Sequence, residues 1–216
     1  MIKILVADDH PVVRRGLMQI LSEERDMRVA GEANNAVEVL REIRARPWDV
    51  VILDIGMPGR SGLDVLAEVK RERPHLPVLI LSMHSEDQFG VRVLRAGAAG
   101  YMTKESVPAE LVKAIRNVFA GKKYISPALA QRLTYEMEAS GEQPLHETLS
   151  DREFQVMHMI ASGKMLKQIA GDLSLSIKTV STYRTRVLKK MQMKTNAELT
   201  IFAMDNQLVI PFRARD

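Results

Sequence analysis

Short apolar runs alternate with amphipathic stretches through the first half of the chain. Ile2–Ala7 is rich in β-branched residues and stops at an acidic pair, after which Val13, Leu17, Ile20 and Leu21 recur at helical spacing. Residues 27–30 predict a second strand, and residues 36–44 a helix with Val37, Leu40 and Ile43 on one face. Residues 49–53 form the most strand-like run and lead into Asp54; a helix over 63–69 follows, and Pro74 and Pro77 punctuate before a strand at 78–81. A helix at Glu86–Arg95, a strand at 99–101 and a helix at 108–120 complete five strand–helix units. Near-continuous apolar strands alternating with amphipathic helices imply a parallel sheet covered on both faces. With right-handed crossovers, the economical arrangement is an α/β flavodoxin-like, doubly wound (βα)5 domain.

The pattern changes at residues 126–147, where one amphipathic stretch (Leu129, Leu133, Met137) runs into a polar segment with Gly141 and Pro144. This reads as a linker whose first half is helical. From Leu149 onward the periodicity is all-helical. Ser150 and Glu153 have the spacing of a capping box, Phe154, Met157, Ile160 and Ala161 form an apolar face, and Gly163 ends that helix. A short helix at 166–173, a turn through Ser174-Leu175-Ser176, a helix at 177–191 and a last helix at 196–207 describe a helix-turn-helix.

Composition sharpens this picture. The hydrophobic share of 46% suits a packed core, the absence of cysteine excludes disulfides and thiolate metal sites, and no apolar run is long enough to span a bilayer. The start of the chain lacks the pattern of a secretory signal, so a cytoplasmic protein without membrane contact is expected. The net charge of +4 is unevenly spread: residues 1–125 carry 19 basic and 17 acidic side chains, whereas residues 149–216 carry 11 and 6. Six basic residues and no acidic one lie between Lys178 and Lys194, as expected of a phosphate-binding surface.

In an open parallel sheet, ligands bind beyond the carboxyl ends of the strands. There the pattern places Asp8 and Asp9 after the first strand, Asp54 after the third, Ser82 after the fourth and Lys104 after the fifth. Three carboxylates so close repel one another, and a hard divalent cation such as Mg²⁺ would relieve them. Together with Lys104 and the Ser82 hydroxyl it would neutralise a phosphoryl group arriving on Asp54, the main need in phosphoryl transfer. Such chemistry requires no imidazole, so His10 and His84 are expected to be structural or surface residues.

The text around these positions resembles the receiver domain of bacterial response regulators. It comprises Leu5-Val6-Ala7-Asp8-Asp9-His10-Pro11, Val51 through Gly59, Ser61-Gly62-Leu63, Leu81-Ser82 and Gly97 through Lys104. The resemblance covers about residues 1–122. It implies that Asp54 is the phosphoacceptor, that Asp8, Asp9, Asp54 and the Gly56 carbonyl hold Mg²⁺, and that Ser82 and Lys104 contact the phosphoryl oxygens. Tyr101 would be the switch aromatic, turning inward as Ser82 moves to the phosphoryl group. One departure is Glu105, which follows Lys104 where the family often has proline; Gly56 and His84 stand at positions that vary within it.

On the helix at 177–191, steps of about 100° place Lys178, Ser181, Thr182, Thr185 and Lys189 on one face. Ile177, Val180, Val187 and Met191 fall on the other. Small polar residues between lysines can approach base edges, which assigns Ser181, Thr182 and Thr185 to base readout. Lys178, Thr179, Arg186, Lys189, Lys190 and Lys194 are expected on the DNA backbone, and Arg184 leans toward the buried side with Glu153 as its expected partner.

The segments Leu149 through Glu153, Ile160 through Gly163, Lys167 through Ala170, Leu175 through Val180 and Ala197-Glu198-Leu199 resemble the LuxR-type output domain of the NarL/FixJ family. Lys164-Met165-Leu166 and Tyr183 depart from its usual pattern without touching the reading face.

The resemblance implies a receiver at 1–122, a linker at 123–147 and a LuxR-type helix-turn-helix domain at 148–212. A sensor histidine kinase would phosphorylate Asp54, favouring a homodimer that binds double-stranded DNA, with RNA polymerase as a further partner. Two rivals differ in class. An aspartate-dependent phosphatase would need an acid two positions after its nucleophile, where this chain has Gly56. A receiver with a vestigial helix-turn-helix would not bind DNA even at low salt.

Overall fold

The computed structural model describes residues 1–57, 60–83, 86–138, 145–206 and 208–209, and divides the chain into a unit of residues 1–139 and a unit of residues 140–216. Pro58, Gly59, His84, the polar linker segment at 139–144 and the end of the expected output domain lie outside the described residues.

The first unit alternates β1 (Ile2–Ala7), α1 (Pro11–Ser22), β2 (Met27–Ala33), α2 (Ala36–Ala45), β3 (Val50–Asp54), α3 (Gly62–Glu72), β4 (Val78–Ser82), α4 (Glu86–Arg95), β5 (Gly100–Thr103) and α5 (Val107–Phe119). The strands pair in parallel in the order β2-β1-β3-β4-β5, the doubly wound arrangement expected. Ile4, Leu5, Val6, Val50, Val51, Leu53, Val78, Leu79, Ile80 and Leu81 are all fully buried, so both faces of the central strands are covered. One face packs Ile4, Val6, Ile52 and Leu79 against Leu17 and Leu21 of α1 and Leu111, Ile115 and Val118 of α5.

Helix ends follow local chemistry. Asn35 caps α2 by accepting from the Glu38 N–H at 2.9 Å, and Ser61 caps α3 by accepting from the Leu63 N–H. The buried stripe of α2 is Ala36, Val39, Leu40 and Ile43, while Val37 is 74% exposed. Val37 was expected on that face, but it lies one step beyond Ala36, about 100° around the helix, and turns to solvent.

α6 (Pro127–Glu138) occupies the first half of the expected linker, yet it belongs to the first unit and packs against α4. The segment before it also adheres, because Tyr124 forms a parallel bridge with Gly100 on the open edge of β5. That bridge covers backbone groups an edge strand would otherwise present.

Among its described residues, the second unit runs from a 3₁₀ turn (Leu145–Thr148) through α7 (Asp151–Ala161), α8 (Leu166–Asp172), α9 (Ile177–Lys190) and α10 (Asn196–Asp205). The capping box at Ser150 and Glu153 is present in both directions, and Gly163 sits at φ +83° just past α7, where only glycine is unstrained. α7 packs against α8, α9 and α10. The tight turn from α8 to α9 places Ser174 at φ +52°, and Ser176 caps α9 through the Thr179 N–H at 3.0 Å.

Two glycines of the first unit should respond in opposite ways. A Cβ on Gly62 would lie 2.6 Å from both the Asp54 carbonyl oxygen and Ile55 Cα, so Gly62→Ala should lower stability by about 1–3 kcal/mol. A Cβ on Gly16, exposed within α1, would meet nothing within 4 Å, so Gly16→Ala should raise stability by about 0.5–1 kcal/mol. Trp48 is the sole tryptophan and lies in this unit, so denaturant titration followed by its fluorescence reads both changes.

Candidate functional site: an acidic pocket and a basic helix

The chain leaves β1 toward β2 on one side and reaches β3 on the other, which opens a crevice between the carboxyl ends of β1 and β3. Asp8 follows β1 and is 1% exposed, and Asp54 closes β3 and is 3% exposed. Lys104, which follows β5, reaches between them: its Nζ lies 2.7 Å from Asp8 Oδ2 and 2.9 Å from Asp54 Oδ2. The Lys104 N–H donates to the Ser82 carbonyl at 2.7 Å, tying the ends of β4 and β5 together beside the pocket. The Gly56 N–H donates to Asp54 Oδ1 at 2.9 Å. The departure at Glu105 leaves this geometry without a cis bond, and the chain turns into α5 through the Ser106 N–H donating to the Thr103 carbonyl.

Burial pushes the Asp54 carboxyl above the usual carboxylate range, and the Asp8 charge adds to the shift despite the opposing pull of Lys104 and the Gly56 N–H. Burial works the other way on Lys104, but Asp54 and Asp8 outweigh it and hold the ammonium above its ordinary value. One cation thus serves two buried anions.

The donor set suits a divalent cation. Ligand atoms of Asp8, Asp9, His10 and Asp54 all lie within 4.8 Å of one another. Asp8 Oδ2 and Asp9 Oδ1 are buried oxygens; Lys104 Nζ lies 2.7 Å from the first and His10 Nδ1 2.8 Å from the second. His10 is a surface residue as expected, its side chain 64% exposed, yet its backbone N–H donates to Asp8 Oδ1 at 2.8 Å and its Nδ1 lies 2.8 Å from Asp9 Oδ1. Its place directly after two metal-type carboxylates, at the start of α1, was the available signal.

Tyr101 differs from expectation. It was to turn inward only on phosphorylation, but it is already 2% exposed and shares a side-chain hydrogen bond with Ser82, itself 1% exposed. Burial pushes its phenol well above the ordinary value. The space beside Ser82 admits the ring without any prior movement of that serine.

In the second unit, Lys178, Ser181, Thr182, Thr185, Arg186, Lys189 and Lys194 are exposed, while Val180, Val187 and Met191 are buried. Ile177, expected on the buried side, is 51% exposed because it opens the helix beyond its packed turns. Thr179 is half-buried, with Oγ1 2.8 Å from the Ser176 hydroxyl. The Thr182 and Thr185 hydroxyls donate to the Lys178 and Ser181 carbonyls at 3.0 and 3.1 Å. Their protons are therefore committed to the helix, and what they offer outward is lone pairs and methyl groups.

The expected Arg184–Glu153 pair does not form. Arg184 Nε donates to Asn196 Oδ1 at 2.6 Å, and Glu153 instead takes Lys190 Nζ at 2.6 Å and the Ser150 N–H at 2.8 Å. The capping role holds Glu153 beside the last turn of α9, and Arg184 stands six residues earlier, about 9 Å away along the axis. Burial alone would raise the Glu153 carboxyl, but Lys190 and Ser150 outweigh it and hold it below its usual value. Lys190, placed with the DNA-backbone contacts by its sequence, is thus also engaged inside the unit.

Comparison with known proteins completes the picture. Residues 4–116 match the response regulator receiver domain, and residues 147–203 match the bacterial regulatory proteins of the luxR family. The response regulator GacA of Pseudomonas syringae pv. syringae is 40% identical over 210 residues, covering 97% of this chain and 98% of its own. RcsB from Salmonella enterica serovar Typhimurium, solved bound to promoter rprA in the presence of phosphomimetic BeF3-, is similar with a TM-score of 0.61 and 25% identity over 93% of this chain and 97% of that one. A structure of two RcsB dimers bound to two parallel DNAs is similar with a TM-score of 0.59 and 26% identity, over 94% and 98%.

Three substitutions probe this electrostatics. Because burial raises the Asp54 carboxyl, the ionised form costs stability, and the cost is incurred as pH rises through that raised value. In metal-free buffer near neutral pH, Asp54→Asn should therefore stabilise the first unit by on the order of 1 kcal/mol, read by Trp48 fluorescence, with a smaller gain in acid. In the second unit, Lys190→Ala should cost about 1 kcal/mol by circular dichroism, since Lys190 is partly exposed. Glu153 is depressed, so that cost is present above the usual carboxylate range and fades as pH falls through it. Lys189→Ala should leave stability unchanged and lower the salt slope of DNA binding by about one.

Proposed function

Because the chain belongs to the response regulators that join a receiver domain to a luxR-family DNA-binding domain, we propose that phosphorylation of Asp54 by a sensor histidine kinase controls its dimerisation and its sequence-specific binding to DNA. It is a transcriptional regulator rather than an enzyme acting on separate substrates. The observation that carries the proposal is the position of Asp54: a buried carboxylate at a strand end, facing a second carboxylate and bridged by one lysine.

In the transfer step an Asp54 carboxylate oxygen attacks the phosphorus of the kinase's phosphohistidine. The phosphorus–nitrogen bond breaks as the acyl-phosphate bond forms, and the released imidazole recovers a proton. Lys104 neutralises charge on the transferred oxygens, and the Ser82 hydroxyl donates to one of them. Asp8, Asp9, Asp54 and the Gly56 carbonyl would hold Mg²⁺, which supplies further neutralisation of the same oxygens.

On the output side, Ser181, Thr182 and Thr185 present acceptor lone pairs and methyl groups to base edges. Lys178, Thr179, Arg186, Lys189, Lys190 and Lys194 engage the phosphate backbone, Lys190 while also bound to Glu153. The RcsB dimers on DNA support a homodimer as the bound form, and such a dimer reads two half-sites spaced by a DNA turn. Among the described residues no helix is long and apolar enough to cross a membrane; the luxR-family DNA-binding domain supports reading the protein as a cytoplasmic one that works beside RNA polymerase.

Incubation with an acyl-phosphate donor and Mg²⁺ should label the protein on Asp54, and Asp54→Ala should abolish the label. Sequencing the DNA retained with and without the donor should yield one motif, bound more tightly with it. An affinity indifferent to donor, Mg²⁺ and Asp54→Ala would refute the coupling. Absence of binding at low salt would favour the vestigial helix-turn-helix.

A further inference from the structure

His10 joins the acidic pocket to α1, and its backbone is held from both directions. Its N–H donates to Asp8 Oδ1 at 2.8 Å, and its carbonyl accepts from the Arg14 N–H at 3.2 Å. Pro11, next in the chain, restricts His10 to the extended backbone it adopts, with φ −89° and ψ 110°. Within the first turn of α1, the Arg14 guanidinium donates to the Asp8 carbonyl at 2.7 Å and to Glu32 Oε2 at 3.0 Å, which fixes the path of the loop leaving β1. So held, the His10 ring brings Nδ1 to 2.8 Å from Asp9 Oδ1 and 3.3 Å from Asp8 Oδ1. A simple ion pair needs one carboxylate, and here the same nitrogen faces two. Asp8 divides its oxygens accordingly, Oδ2 toward Lys104 and Oδ1 toward His10.

We propose that His10 Nδ1 is a further ligand of the pocket's cation, and that this nitrogen turns the pocket's preference toward borderline first-row cations such as Mn²⁺ and Co²⁺. The inference rests on the reading of Asp8, Asp9 and Asp54 as a divalent-cation site. In a six-coordinate shell with bonds of about 2.1 Å, neighbouring ligand atoms stand roughly 3 Å apart. The two separations from Nδ1 to carboxylate oxygens fall on either side of that spacing. Oxygen donors alone suit Mg²⁺, and an imidazole adds little for so hard an ion. Later first-row cations gain much more from the same nitrogen. The ring is 64% exposed, so a cation arriving from solvent can reach it. His10 thus acts on the choice of cation, whereas Asp54 and Lys104 act on the phosphoryl group.

Calorimetric titration of the metal-free protein with Mg²⁺ and, separately, with Co²⁺ reads this choice directly. His10→Asn retains a good helix cap and exchanges the ring nitrogen for an amide oxygen. It should lower the preference for Co²⁺ over Mg²⁺, taken as the ratio of the two affinities, by about tenfold or more. Asp54→Ala should weaken both cations, which ties the Co²⁺ event to this pocket rather than to another histidine. A ratio unchanged by His10→Asn overturns the proposal, whether the two affinities fall together or neither moves. Co²⁺ binding that survives Asp54→Ala at full strength overturns it as well. Failure of the unsubstituted protein to bind either cation would instead sink the divalent-cation reading, and the role of His10 with it.

Discussion

Asp8 and Asp54 share one ammonium at the carboxyl edge of the sheet, and this uneven balance organises the receiver unit. Two anions 1% and 3% exposed share the Lys104 ammonium, which leaves the pocket short of positive charge among the described residues. A buried site with that deficit favours incoming cations and, once they are present, an anionic group that Lys104 can grip. The sheet order makes this possible, because only at the reversal beside β1 do two strand ends face each other without a helix between them.

The same strand ends connect the pocket to its surroundings. Ser82 and Lys104 are joined through the backbone, Ser82 meets Tyr101, and the Tyr101 N–H meets Tyr124 just ahead of α6. Contiguous hydrogen bonds thus run from the end of β4 to the residue just ahead of α6. The surroundings are closely packed, as the seat of Leu129 against Gly90 illustrates.

The output unit divides its charges between two uses. Most cations of α9 are solvent-facing and free of acidic neighbours in sequence, whereas Lys190 is drawn to Glu153, which is itself fixed by capping α7. Helix termination and helix packing thus meet at one carboxylate. Arg184 performs a similar service with Asn196 at the start of α10, so the positive stretch serves the interior of the unit as well as its surface.

Elements governed by local rules were legible from the residues alone. The β-branched runs, the 3.6-residue stripes, the Ser150–Glu153 box and Gly163 gave the strands, the helices and their ends to within a few residues. The convergence of Asp8, Asp54, Ser82 and Lys104 followed because a parallel sheet brings its strand ends to one edge. Contacts between elements were another matter. That Tyr101 lies inside, that His10 joins the acidic cluster, that Glu153 takes Lys190 rather than Arg184, and that Leu129 fills a notch at Gly90 depend on distances across helices far apart in sequence. Periodicity reports which way a side chain faces on its own element. Only packing decides what it meets there, because the partner's position is set by the whole core.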